Sequence, residues 1–114
     1  MKNIVLAGSL LLLLWAPAEA KKMTTCSAAF DAPNGATVTV SGVISDYDSE
    51  YDGELGFFML DDGRDPKCSP IIITMNRLSQ KCHDGGHAKA TGVISTEGDE
   101  LGGNLEATKV DCTD

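Results

Sequence analysis

From residue 36 onward the chain alternates apolar and polar positions in short runs, separated by clusters of glycine, aspartate and asparagine. The first run, ATVTVSGVISDY (Ala36 to Tyr47), follows the turn signal Pro33-Asn34-Gly35. Val38 and Val40 alternate there with Thr37 and Thr39, the period of two that marks a strand with one buried face. Gly42 interrupts the alternation ahead of Val43-Ile44, which predicts a bulge or sharp bend in a long strand. A second strand is predicted over LGFFMLDDG (Leu55 to Gly63) and a third over PIIITM (Pro70 to Met75), whose continuous β-branched run implies burial on both faces. In NRLSQKCHDGG, Asn76 as a cap, Leu78 and Cys82 on one face and Gly85 as a stop predict a short helix over Asn76 to Cys82. HAKATGVIST (His87 to Thr96) and NLEATKVDC (Asn104 to Cys112) complete the strands and flank an acidic tip, EGDELGG. The echo of SGVIS (Ser41 to Ser45) in TGVIS (Thr91 to Ser95) reads as two similarly bent strands, since a solenoid needs at least three repeats.

The segment before this pattern has a different character. Lys2, the apolar run Ile4 to Ala16 and the small residues of Ala18-Glu19-Ala20 together predict a secretory signal peptide over residues 1–20. A single domain is then expected over residues 21–114, periplasmic or secreted. Lipidation of Cys26 is disfavoured, because that cysteine lies outside the apolar run and follows Met-Thr-Thr. All four cysteines (Cys26, Cys68, Cys82 and Cys112) fall in the exported part. An even count in a short exported domain points to two disulfides, and the wide spacing argues against zinc, which favours close cysteine pairs. The net charge of −8 implies repulsion from phosphate backbones and anionic membranes.

Three strands, a short helix and two more strands, the first strand bent at a glycine, make an all-β chain that resembles the OB-fold, a five-stranded Greek-key barrel. The resemblance spans Ala36 to Cys112 and rests on the strand order, the V-x-V-x-G opening and LDDG at the end of the second strand. With its leader the chain resembles the small periplasmic bacterial OB-fold proteins. The resemblance implies that the third and fifth strands run parallel side by side, and that the start of the first strand lies beside the end of the second. On that layout Cys26 is expected to pair with Cys68, and Cys82 with Cys112. Loop-closure entropy assigns each bridge about 3.5–4 kcal/mol, against a total stability for so small a domain of about 5–10 kcal/mol.

The densest candidate chemistry is SDYDSEYDGEL, where Asp46, Asp48, Glu50, Asp52 and Glu54 fall at every second position around Tyr47 and Tyr51. Read as a calcium loop from Asp48, the match lacks its final ligand, because Met59 stands where a bidentate glutamate is required. Asp48, Glu50 and Asp52 therefore remain only weak metal candidates, and no cofactor is expected. His83 and His87 are four apart but split by Gly85-Gly86, a poor chelate. No G-x-S-x-G elbow occurs and the cysteines are committed to bridges, so the chain is expected not to be an enzyme.

The OB resemblance implies that the loops joining strands one to two and four to five border a binding face. Here they carry the five carboxylates above and Glu97, Asp99 and Glu100, with Phe57 a further contact candidate. A nucleic-acid OB-fold needs a basic groove with aromatic platforms, and the eight basic residues from Lys21 onward show no such cluster. The expected function is a binding module whose acidic rim engages a cationic protein, peptide or small ligand, such as an inhibitor or immunity-type protein. An envelope-stress protein binding a cation or small molecule is the alternative, and nucleic-acid binding is disfavoured by charge.

Overall fold

The structure, a computed structural model, describes residues 20–65, 67–68, 70–78, 81–96 and 103–113. Its elements are β1 (Lys21–Lys22), α1 (Thr25–Phe30), β2 (Thr37–Asp52), β3 (Leu55–Asp61), β4 (Ile71–Asn76), β5 (His87–Ser95) and β6 (Asn104–Thr113). The long first strand exists as expected but runs to Asp52 rather than Tyr47. Its first half pairs with β5 (Thr37 opposite Val93 through Val43 opposite His87) and its second half with β3. With β3 on β4, β4 parallel to β6 and β6 on β5, the ladder closes into a five-stranded barrel. Phe58, Leu60, Ile71, Ile73, Ile44, Ile94, Leu105, Val38 and Val40 fill its interior, all essentially buried.

Closure depends on the two echoed strands. A Cβ on Gly42 would overlap the Asp61 carbonyl, and one on Gly92 would overlap the Glu106 carbonyl. Both strands therefore bend where a neighbouring backbone sits directly against them. At Gly42 strand β2 leaves β5 and passes to β3; at Gly92 the β5–β6 ladder slips by one residue.

The helix is not where the sequence places it. Of the predicted helical segment, Asn76 ends β4, Arg77 forms a turn and Leu78 and Cys82 are irregular, while Ser79 and Gln80 lie outside the described residues. Asn76 prolongs the β4–β3 ladder opposite Leu55 instead of capping a helix. Leu78 packs against Gly56, and Cys82 is buried and bonded to Cys112. This short segment closes the barrel end from which β5 departs. The helix is α1, at the opposite end. Thr24 caps it by accepting from the Ser27 amide at 3.1 Å, and Ala28 and Ala29 are buried on the barrel. The Ala29 carbonyl accepts from the Gly103 amide at the start of β6. PIIITM also departs from its reading: Ile71 and Ile73 are buried, whereas Ile72 faces outward, half-buried.

The disulfides are Cys26–Cys68 and Cys82–Cys112, with Cα atoms 5.8 and 5.2 Å apart, the pairs that the barrel layout implies. The first ties α1 to the β3–β4 loop beside a reciprocal clamp. The Thr25 amide donates to Asp62 Oδ2 at 3.1 Å, and the Asp62 amide donates to Thr25 Oγ1 at 3.2 Å. Asp62 Oδ1 also accepts from the Arg64 amide at 3.0 Å. Partial burial alone would raise the Asp62 pKa. The amides of Arg64 and Thr25, the Thr25 hydroxyl and the Arg64 charge outweigh it and hold the group below its ordinary 3.8.

Two predictions follow from closure and clamp. Gly92→Val should lower the denaturant-derived unfolding free energy by about 1–3 kcal/mol, since the obstruction is backbone and cannot rotate away; an unchanged midpoint would contradict the closure geometry. Asp62→Ala should cost about 1–3 kcal/mol near neutral pH by stranding amide donors. Because the folded pKa is depressed, the stabilisation from ionised Asp62 is present above 3.8 and lost as pH falls through the lower folded value. The gap between wild type and variant, measured by denaturation from pH 6 downward, should narrow only below about pH 4.

Candidate recognition face

The second half of β2 departs from regular pairing, and this decides where the carboxylates lie. Ser45 is opposite Met59, Asp48 opposite Phe57 and Asp52 opposite Leu55, so β2 carries extra residues in two successive bulges. Asp46 sits at φ 53°, in the left-handed region, which aspartate tolerates better than most residues. The bulge turns the Tyr47 amide out of the ladder to Asp84 Oδ1, 2.8 Å away. Asp48 Oδ1 accepts from the Glu50 amide at 3.0 Å within the second bulge. Gly53, at φ 62°, makes the turn into β3.

Residues directly opposite each other in a ladder share a face. The barrel's outer surface over β3 and β4 can therefore be read from the register. It carries Leu55, Phe57, Met59 and Asp61 from β3, Ile72 and Thr74 from β4, and Asn104 and Glu106 from the start of β6. Val43 and Ser45 border it on β2. The apolar members are half-buried or exposed, with Val43 at 42%. Tyr51, 58% exposed, stacks on Phe57 with ring centroids 5.0 Å apart and planes inclined by 25°. Stacking fixes both rings at little further entropic cost to a ligand and presents a rigid aromatic platform. Asp48 and Asp52 lie on this face opposite Phe57 and Leu55, and Asp46 and Glu50 are exposed along the same strand.

The structure thus brings Asp48, Tyr51, Asp52 and Phe57 together and separates others. Tyr47 is partly buried against the core, so its ring supports the barrel rather than the platform. Glu54 is exposed at the turn and paired with Arg77 at 3.3 Å. Glu97, Asp99 and Glu100 lie outside the described residues. Among the described residues no group of three His, Cys, Asp or Glu side chains gathers to hold a metal ion, the candidates Asp48, Glu50 and Asp52 included. The His83 ring Nδ1 lies 3.0 Å from the Asp84 carbonyl, and His87 begins β5.

Met59, Ile72, Thr74 and Glu106 escaped the sequence reading. Strict alternation within Leu55 to Asp61 would have marked Met59 beside Phe57; Ile72 was hidden inside an unbroken apolar run. The basic residues also need correction. Scattered along the chain, Lys22, Arg64 and Lys89 line one cleft on a different wall of the barrel, with Thr39 and Ser41 of β2.

No family model matches the chain, and no curated protein matches it. Solved structures do. OBody AM2EP06 bound to hen egg-white lysozyme is 12% identical, covers 83% of this chain and 94% of its own, and superposes with a TM-score of 0.61. OBody AM1L10 bound to hen egg-white lysozyme is 9% identical over 87% of this chain and 97% of its own, at 0.64. A putative aspartyl-tRNA synthetase from Leishmania major Friedlin is 10% identical over 86% of this chain, at 0.63, but the match covers 21% of that protein. Identities this low carry the architecture and nothing finer: the chain has the OB-fold.

Proposed function

We propose that this protein is an exported, non-catalytic binding module that captures a cationic protein or peptide on the outer face of β3 and β4. The observation that carries the proposal is the Tyr51–Phe57 stack flanked by carboxylates. A rigid aromatic centre with a charged rim is the arrangement in which a few apolar contacts hold a partner and the surrounding charges steer it in. The net charge of −8 works in the same direction, accelerating encounter with a basic partner and repelling nucleic acid. The OBody structures support the reading only in showing protein-bound examples of this barrel. Two disulfides favour an oxidising compartment. Among the described residues no helix is long and apolar enough to cross a membrane. Function in the periplasm or outside the cell, as in the bacterial OB-fold proteins that the sequence resembles, is part of the proposal.

The test is calorimetric titration with a short lysine- and tyrosine-containing peptide at low and moderate salt. Asp48→Asn, Glu50→Gln and Asp52→Asn together should weaken binding roughly tenfold, about 1.4 kcal/mol. Asp31→Asn, Asp65→Asn and Asp111→Asn, the same charge change elsewhere, should alter it less than about twofold at physiological salt, where exposed charges beyond ~8 Å are screened. Tyr51→Ala with Phe57→Ala should weaken binding at unchanged charge. Equal effects of the two charge triples would overturn the proposal. So would a large calcium-dependent rise in Tm abolished by the first triple, which would assign a metal site instead.

A further inference from the structure

We propose that the wall formed by β1, β2 and β5 carries a second site, a cleft that binds a tetrahedral oxyanion: phosphate or sulfate, free or as the terminal group of a larger molecule. The cleft has a volume of about 370 Å³; Lys22, Arg64 and Lys89 line it together with Thr24, Thr39 and Ser41. Its construction follows from the ladders. Lys22 is beside Thr39 in the parallel β1–β2 pair, and Ser41 is opposite Lys89 in the β2–β5 pair, so all four project from the same outer surface. The turn after β3 brings Asp62 and Arg64 to the rim, and Gly42, having no side chain, lets that turn lie directly on β2.

Three of the eight basic residues from Lys21 onward therefore meet in one concavity of a protein whose net charge is −8. None of the three forms a contact ion pair among the described residues, unlike Arg77 with Glu54 and Lys109 with Asp111. Among the described residues Asp62 is the only carboxylate in the lining, and both its oxygens already accept backbone amides, from Thr25 and Arg64. The cleft is left with an excess of two positive charges. Concave walls of low dielectric strengthen such a field compared with a flat surface. The floor adds hydroxyls. Thr39 Oγ1 and Thr91 Oγ1 are 2.8 Å apart, and with Thr91 as the donor the Thr39 hydroxyl keeps its own proton for a ligand. Thr24 Oγ1 accepts from the Ser27 amide, and its own proton is not used in that bond. Cations on three sides and hydroxyl donors beneath suit an anion with four oxygens and two charges better than a planar monovalent carboxylate.

The inference is independent of the recognition face, which lies on β3 and β4 and is acidic. Its test is backbone-amide NMR and calorimetry with inorganic phosphate, inorganic sulfate and acetate at matched ionic strength. Phosphate and sulfate should bind saturably and shift the amides of Thr39, Ser41 and Lys89. Acetate should bind at least tenfold more weakly. Lys22→Gln, Arg64→Gln and Lys89→Gln together, all at the surface, should weaken phosphate at least tenfold, whereas Lys67→Gln, Lys81→Gln and Lys109→Gln should change it less than twofold. Non-saturable shifts, equal effects of the two triples, or acetate binding as tightly as phosphate would each overturn the assignment. A phosphomonoester that binds more tightly than phosphate would place the anion at the end of a larger ligand; a weaker one would make the free ion the ligand.

Discussion

One strand must satisfy two partners, and the rest of the molecule is arranged around that demand. Strand β2 forms antiparallel ladders with β5 along its first half and with β3 along its second, changing partner at Gly42 and Val43. An unpaired edge in so small a domain would expose a row of backbone donors and acceptors, and barrel closure removes it. Closure in turn forces backbone against backbone at Gly42 and Gly92, and only a residue without Cβ fits there. The same position, Gly42, lets the turn that carries Asp62 and Arg64 lie on β2 at the rim of the basic cleft. The bulges beyond it turn Asp48 and Asp52 onto the face of Phe57. Architecture and both candidate surfaces share one cause.

Small cores leave little margin. The interior holds one phenylalanine, Phe58, and otherwise aliphatic and small residues, so additional constraints matter more here than in a larger domain. They are placed at the two open ends. Helix α1 covers one, held by Cys26–Cys68 and the Thr25–Asp62 clamp; Leu78 and Cys82 close the other, held by Cys82–Cys112. With the ends secured this way, the walls are free to carry charge that a folding core cannot use. The result is a barrel with an acidic, aromatic wall where the second half of β2 pairs with β3, and a basic, hydroxylated one where its first half lies between β1 and β5.

How much of this could be read from the chain depends on whether the cause was local. The strands were legible because alternation and turn residues are local signals, and the echo of SGVIS in TGVIS marked both bends. The disulfides were legible once a strand order was supposed. The helix was misplaced because Asn76, Leu78 and Cys82 imitate a capped amphipathic turn, whereas TCSAAF is too short to show a period and is held helical by the Thr24 cap and by its packing. Ile72 reads as core because an unbroken apolar run does not reveal which face is covered. The cleft was invisible for a different reason. Lys22, Arg64 and Lys89 are tens of residues apart, and they meet only through the register of β1 and β5 on β2 and the turn after β3 that lies against Gly42.

The central claim is that recognition of a cationic partner belongs to one wall of the barrel. Backbone-amide chemical-shift mapping during titration with the basic peptide tests it most directly. The account predicts that Asp48, Tyr51, Phe57, Met59, Ile72 and Thr74 move together along one saturation curve, while Val38, Thr39, Lys89 and Ala90 stay in place. Shifts spread over every exposed carboxylate, or centred on β5, would contradict it.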